Sequence, residues 1–214
     1  MSWDEFRGKL RRNIRESLRH CYNSLKRDGH PFELRVAADP ANVRGAVDRF
    51  LELHVLRSAL KHTVSHPNRF ASRVSCDFLH DICATMAERG ALRIFQLQIR
   101  GEIVATRIGF VVGNSLYLYY SGFDPAWSKY SVMTTTVAEA IKYAIAHGLT
   151  GVNLSTGQDV SKTRWDPVTV EYRTGYEYKN RLQSRLATQA YVHVRSGDSL
   201  TGWLLRRLIG SRRI

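Results

Sequence analysis

Apolar residues recur every three or four positions from Trp3 to Leu25. Trp3, Phe6, Leu10, Ile14, Leu18, Cys21, Tyr22 and Leu25 make one stripe, with arginines on the other side. The spacing predicts one helix over 3–28, ended by Asp28-Gly29 and kept from continuing by Pro31. "PFELRVA" (31–37) alternates as a short strand. From "DPANV" an N-capped helix begins, with Val43, Val47, Phe50, Leu51, His54, Val55 and Leu60 facing inward. "SHPNRF" breaks that pattern. Phe78, Leu79, Ile82 and Met86 mark the next helix, closed by Gly90, and Cys76 and Cys83 help fill its buried side.

The period then falls to two. "ALRIFQLQIRGEIVATRIGFVVGNSLYLYYSGF" reads as three strands joined by compact turns at Arg100-Gly101-Glu102 and Gly113-Asn114-Ser115, an antiparallel meander. A helix over 129–147 follows, with Val132, Met133, Val137, Ala140, Ile141, Ala144 and Ile145 on one stripe and Gly148 as its C′ residue. "GVNLST" is the next strand. Because a helix joins it to the meander, the two strands are expected to be parallel with a right-handed crossover. "TVEYRTGYEY" reads as a later strand, and 180–194 as helical. The order of elements predicts an α/β fold with a mixed sheet.

Composition changes this picture little; charge changes it more. The 214 residues are 43% hydrophobic and 24% charged, enough for one sizeable core. No apolar run reaches the roughly 18 residues of a membrane span, and the N-terminus lacks the apolar region of a secretory signal. Cys21, Cys76 and Cys83 are odd in number and lack metal spacing, so reduced thiols and a cytoplasmic location are expected. The net charge of +13 sits mostly at the ends: residues 7–27 carry +7 and residues 201–214 carry +4. Such termini suit nucleic acid, an anionic membrane or an anionic substrate.

Signature motifs of hydrolases, zinc peptidases and nucleotide-binding loops are missing. His62 and His66 stand four apart, but Pro67 follows and no third ligand is near, so a solvated helix end is the better reading and no metal is expected. In a mixed α/β sheet, ligands gather at the carboxyl end of the strand before the crossover helix and at that helix's start. "SKYSVMTTT" supplies hydroxyls and one cation there, as either an anion site or an N-cap with a polar face. The second polar cluster follows the next strand: Ser155, Gln158, Asp159, Lys162, Arg164 and Trp165. It reads as an exposed loop or as an aromatic platform with cations for a sugar or an anion. A parallel β-α-β unit puts both clusters at one sheet edge.

These stretches resemble the GNAT acyltransferase fold and, more closely, the CelD/BcsL-type subfamily of bacterial cellulose and exopolysaccharide synthesis, related to FemAB-like transferases. The likeness rests on "WDEFRGKLRRNIRESLRH", "GEIVATRIGFVVGNSLYLYYSGFDPAWSKYSVM" and "AIKYAIAHGLTGVNLSTGQDVSKTRW". It covers a W-x-x-F…R entry helix, a G-x-x-(I/V)-A strand, a Y-x-x-G-(Y/F)-D-P turn and a G-x-x-x-x-K-x-x-W knot. The resemblance implies a GNAT-like α/β domain over 31–196, with a basic helix (1–30) packed on it and a basic amphipathic tail (197–214). It implies transfer of an acyl group from acyl-CoA to an amine or hydroxyl of a sugar or lipid-linked precursor.

By that resemblance the CoA pyrophosphate would meet Lys129, Tyr130, Ser131, Val132, Met133 and Thr134. Tyr119, Tyr120 and Ser121 would lie along the acyl-pantetheine arm, and the knot residues would hold the acceptor. Val132-Met133 replace a proline and glycine common in the family, and no glycine stands between Phe123 and His147, which implies a weak or altered pyrophosphate contact. Tyr119, Asp124 and Asp159 are the titratable candidates for catalysis; the alternatives are a packed strand aromatic, a turn former and a helix cap. The tail "SLTGWLLRRLIGSRRI" has the composition of an interfacial helix, so a peripheral position at an anionic inner membrane is one expectation, and docking on a partner or the body is another. Two other functions remain open: a FemAB-like transferase using aminoacyl-tRNA, whose phosphates the arginines would suit, and a non-catalytic module that lost its CoA loop.

Overall fold

A computed structural model describes residues 1–60, 66–172 and 175–196. The chain divides into two compact units, Met1–Pro167 and Val168–Ile214. The first holds two helices, α1 (Trp3–Lys9) and α2 (Arg12–Arg27), then strand β1 (Phe32–Ala37). Helices α3 (Pro40–Ser58) and α4 (Arg73–Glu88) follow, then β2 (Leu92–Ile99), β3 (Glu102–Val112) and β4 (Ser115–Phe123). A 3-10 segment (Pro125–Tyr130) leads into α5 (Val132–Ala146), β5 (Gly151–Asn153) and the single turn α6 (Val160–Thr163).

One five-stranded sheet runs in the order β1-β2-β3-β4-β5, antiparallel except for the β4–β5 pair. The expected meander and β-α-β unit are both present, and β1 extends the meander at its outer edge. Alternation along β2 separates two layers. Leu92 and Ile94 pack with Val47, Phe50, Leu79 and Cys83 of α3 and α4, whereas Phe95 packs with Ile14 and Leu18 of α2 and Ala140 and Ile141 of α5. A third cluster, with Leu25, Leu97, Val104, Tyr130 and Val132, closes the end of the sheet nearest the start of α5.

The expected helix over 3–28 is two helices. Leu10 and Arg11 adopt extended backbone, so Leu10 turns into the core while α2 restarts at Arg12. Gly8, a poor helix former just before the break, weakens continuity there. The stripe within α2 holds: Ile14, Leu18, Cys21 and Leu25 are buried. In α3, Asp39 caps the helix by accepting from the Ala41 amide at 2.9 Å, and Val43, Val47, Phe50 and His54 point inward as read from the pattern. Val55 does not; it is 49% exposed. Cys83 is fully buried, and burial pushes its thiol up to about 12.

The helix expected over 129–147 begins three residues later, because Ser131 takes left-handed backbone (φ 51°) between the 3-10 segment and α5. In the second unit, helix α7 spans Leu182–Ser196, matching the expectation for 180–194. The expected strand over 169–178 is not seen among its described residues. Val170 and Tyr172 alternate with polar residues as a strand would, but a strand needs a ladder partner, and both side chains are exposed. The tail over 197–214 lies outside the described residues. Among the described residues, no helix is long and apolar enough to cross a membrane.

Candidate active site

β4 and β5 pair over only three residues: Ser115 with Gly151, Leu116 with Val152 and Tyr117 with Asn153. Beyond Tyr117, β4 continues to Phe123 with no β5 partner. The sheet therefore opens at the carboxyl ends of its two parallel strands, the edge at which the start of α5 also stands. An unpaired strand edge presents main-chain donors and acceptors that an extended, amide-bearing ligand can pair with.

A β-bulge lies at the mouth of this opening. Arg107 pairs with Ser121 and Gly109 with Leu118, so Tyr119 and Tyr120 together oppose Ile108. The two tyrosine rings sit 4.2 Å apart. Tyr120 packs on Phe70 (4.9 Å) and the His54 ring (6.1 Å). Tyr119 is 48% exposed and stands against Phe110. Partial burial, with the neighbouring Tyr120 hydroxyl, raises the Tyr119 pKa, so its hydroxyl keeps its proton.

The start of α5 carries the residues proposed for a phosphate. Ser131 O accepts from the Thr134 and Thr135 amides, and in any helix the first amides, here Val132 and Met133, lie outside the ladder. Their side chains face away from solvent: Val132 is buried, Met133 packs against the same cluster, and Tyr130 is buried with its hydroxyl donating to Asp28 at 2.9 Å. Lys129 lies over the Tyr130 ring, 4.7 Å from its centroid. Any contact from Tyr130 or Val132 to a ligand is thus by main chain. Asp124 caps the 3-10 segment through the Ala126 amide at 2.9 Å.

The knot after β5 is held by its own bonds. Ser155 takes left-handed backbone (φ 73°) and its amide donates to Asn153 Oδ1 at 2.7 Å. Asp159 caps α6 and accepts from Ser161 and from Lys162 Nζ, which also donates to Thr156 O at 2.7 Å. Burial raises the Asp159 pKa, but hydrogen bonds from Lys162 and Ser161 outweigh it and bring the carboxyl down to about 2. So low a pKa makes it a weak base at neutral pH. Gln158 is exposed. Arg164 bridges Thr134 Oγ1 (3.5 Å) at the start of α5 and Ser17 Oγ on α2. Trp165, read as an aromatic platform, is 6% exposed and packs with Leu10, Ile14, Leu18, Leu116 and Leu118 in the core.

A testable consequence follows from the lowered Asp159 pKa. Its contribution to stability is present above pH 4, near the ordinary carboxylate value, and is lost as pH falls through about 2. Asp159→Asn keeps a capping side chain and removes the charge. The variant is expected to melt slightly below the parent at pH 6, by about 1 kcal/mol after solvent screening of this half-buried pair, and to approach it as pH falls below 2.

The sequence reading did not find four basic side chains that the fold gathers at the opening. His54 Nδ1 donates to Ser121 O at 3.0 Å, and its Nε2 accepts from the Arg69 amide at 3.3 Å. Both nitrogens are occupied, and burial with the charges of Arg57 and Arg69 holds the ring neutral, so His54 is a brace. Arg57 Nη1 donates to Ser121 Oγ, and Nη2 lies 3.1 and 3.2 Å from the two ring nitrogens of His66. Burial and Arg57 lower the His66 pKa as well. Arg107 stands on β3, half-buried, and desolvation draws its guanidinium down to about 10. One signal was available for it, a lone arginine inside the otherwise small and apolar "VATRIGF" strand; nothing local marks Arg57, and His66 stands out only by its metal-like spacing from His62.

Against known proteins, a family model described as an acetyltransferase (GNAT) domain matches residues 8–179. No curated protein shows significant similarity to the chain. Among solved structures, an aminoglycoside acetyltransferase from an uncultured soil metagenomic sample, in complex with sisomicin, is 10% identical at a TM-score of 0.45, covering 70% of this chain and 97% of its own. A predicted acetyltransferase with acetyl-CoA from Clostridium acetobutylicum is 10% identical at 0.45 (72% and 98% covered). The aminoglycoside N-acetyltransferase AAC(6')-Iy in complex with CoA is 12% identical at 0.43 (71% and 97%). With a family model spanning most of its length, the chain belongs to the GNAT acetyltransferase domain family, enzymes that take their acyl group from acyl-CoA.

Proposed function

We propose that this acetyltransferase moves an acyl group from acyl-CoA to an amine or hydroxyl of a sugar, of the kind built into envelope or exopolysaccharide precursors, at the opening between β4 and β5. The observation that carries the reading is the parting of the two parallel strands after Tyr117, with the bulge at Tyr119-Tyr120 and the start of α5 beside it. The Leu118–Tyr120 edge of β4 pairs with the pantetheine amides, and the Val132 and Met133 amides meet the pyrophosphate, with Arg164 alongside. Main-chain donors at the bulge steady the thioester oxygen as charge develops on it.

The acceptor's lone pair adds to the thioester carbonyl carbon, the C–S bond breaks, and the proton the acceptor loses balances the thiolate that leaves. The acceptor's proton passes to solvent, since both ring nitrogens of His66 lie on Arg57 Nη2, and Tyr119, kept protonated, is suited to supply a proton to the thiolate. Ser155 and Gln158 are the knot residues left to meet the acceptor, since Lys162 and Arg164 are engaged within the fold and Trp165 is in the core.

A thermal-shift series with acetyl-CoA and longer acyl-CoAs tests this. At 100 times the dissociation constant, a ligand that binds only the folded state adds about 2.7 kcal/mol, a rise of several degrees in Tm for a chain of this size. A flat series across all chain lengths overturns the proposal.

A further inference from the structure

Arg57 and Arg107 are unusual among the arginines of this chain. Both are half-buried, and neither makes an ion pair within 4 Å among the described residues. The Nε of each is buried without a hydrogen-bond partner among the described residues. Arg57 uses its two Nη groups on Ser121 and His66, whereas the Arg107 side chain makes no hydrogen bond to any described residue. The pairing of β3 with β4 sets Arg107 directly across from Ser121, the residue Arg57 binds. Both residues therefore converge on Ser121, next to the stretch of β4 that has no β5 partner, and the charge of Arg57 acts on Arg107.

The local charge does not balance. Asp159 is the acid that acts on both arginines, and Lys162 already holds its Oδ2. Among the described residues, two arginines and one lysine face a single carboxylate, and burial lowers the pKa of His54 and of His66. Buried cations without partners are costly, and a guanidinium's planar fork matches a carboxylate or phosphate. A site that keeps two half-buried guanidiniums with buried, unsatisfied Nε groups and no ion pair among the described residues is built for an anion that arrives with a ligand.

We infer that Arg57 and Arg107 bind an anionic group, a carboxylate or a phosphate, carried by the acyl acceptor. This rests on reading the β4–β5 opening as the transfer site. CoA also carries phosphates, but those fit the amides at the start of α5, whereas this pair stands on β3 and the end of α3. The acceptor would then be an acidic molecule, such as a sugar phosphate or sugar acid, rather than the neutral or cationic sugar that the fold alone would allow.

The test measures binding of inorganic phosphate and of acetate to the full chain, free and saturated with CoA, for wild type, Arg57→Gln and Arg107→Met. The expected result is that one of the two anions binds wild type in the presence of saturating CoA. Each variant should then weaken that anion by about tenfold or more, as loss of a charge-assisted hydrogen bond does. The affinity for acetyl-CoA should stay within about threefold of wild type. Arg107→Met removes a half-buried unpaired charge while keeping the length of the side chain, so its Tm should equal or exceed that of wild type. A lower Tm would mark Arg107 as structural and overturn the inference. So would anion binding that persists in both variants, or wild type that binds neither anion. If CoA displaces the anion, or the variants lose acetyl-CoA affinity, the group bound is CoA's own phosphate and the acceptor assignment falls. Wild type that binds the anion but no acyl-CoA would remove the transfer reading and with it this one, while showing that the two failures have separate causes.

Discussion

Gly122→Ala is expected to cost about 3 kcal/mol or more and to lower Tm by roughly 10 °C. A Cβ at that position would fall 2.5 Å from the His54 amide nitrogen and 2.7 Å from the Leu53 carbonyl carbon. Both are backbone atoms of α3, and a helix packed on a sheet cannot yield locally as a long side chain can. The missing side chain is what lets α3 lie directly on β4. That approach places His54 on the Ser121 carbonyl and Arg57 on the Ser121 hydroxyl. Any of the variant that folds should therefore also lose anion affinity at Arg57, whereas acyl-CoA contacts at α5 are remote from the clash. Differential scanning calorimetry with titration of phosphate reads both effects. An unchanged Tm would show that α3 does not rest on β4 in the way described.

Trp165→Ala is expected to destabilise by about 3–5 kcal/mol, the range for removing a large aromatic from a packed core. The indole sits among Leu10, Ile14, Leu18, Leu116 and Leu118, so its loss opens a cavity between α2, β4 and the knot. Trp165→Phe should recover much of that loss. An exposed sugar platform predicts the opposite pattern, with weaker acceptor binding at unchanged stability. Chemical denaturation of the two variants separates them, and an alanine variant as stable as wild type would return Trp165 to the role of a binding surface.

Much of the architecture was legible because the chain changes period cleanly, from a spacing near four before Gly90 to alternation after it. Asp39-Pro40 and Gly113-Asn114 punctuate it where the structure does. The misses have specific causes. The break at Leu10-Arg11 preserves the three-to-four spacing, so the stripe looks continuous across it. The bulge at Tyr119-Tyr120 hides inside a run of aromatics in which alternation cannot be read. Residues 169–178 carry strand propensity without a neighbour to pair with, and propensity alone does not make a ladder. For the site, the helix start and the knot were legible as polar clusters between elements. The Arg57–Arg107 pair was not, since its members stand fifty residues apart, one at the end of a helix stripe and one inside a strand. Only the contact of α3 with β4, made possible by Gly122, joins them.

The opening in the sheet is also shorter than the strand that lines it. Pairing with β5 ends at Tyr117, and the Ser121 carbonyl is already taken by His54 Nδ1. Only Leu118, Tyr119 and Tyr120 lie between, a slot of about 10 Å at the rise of an extended strand. An edge this short, with the guanidinium of Arg57 at its end, is a poor template for a strand from another copy of the chain. A gap of that length suits a thin chain with one or two amides better than a strand from a second polypeptide.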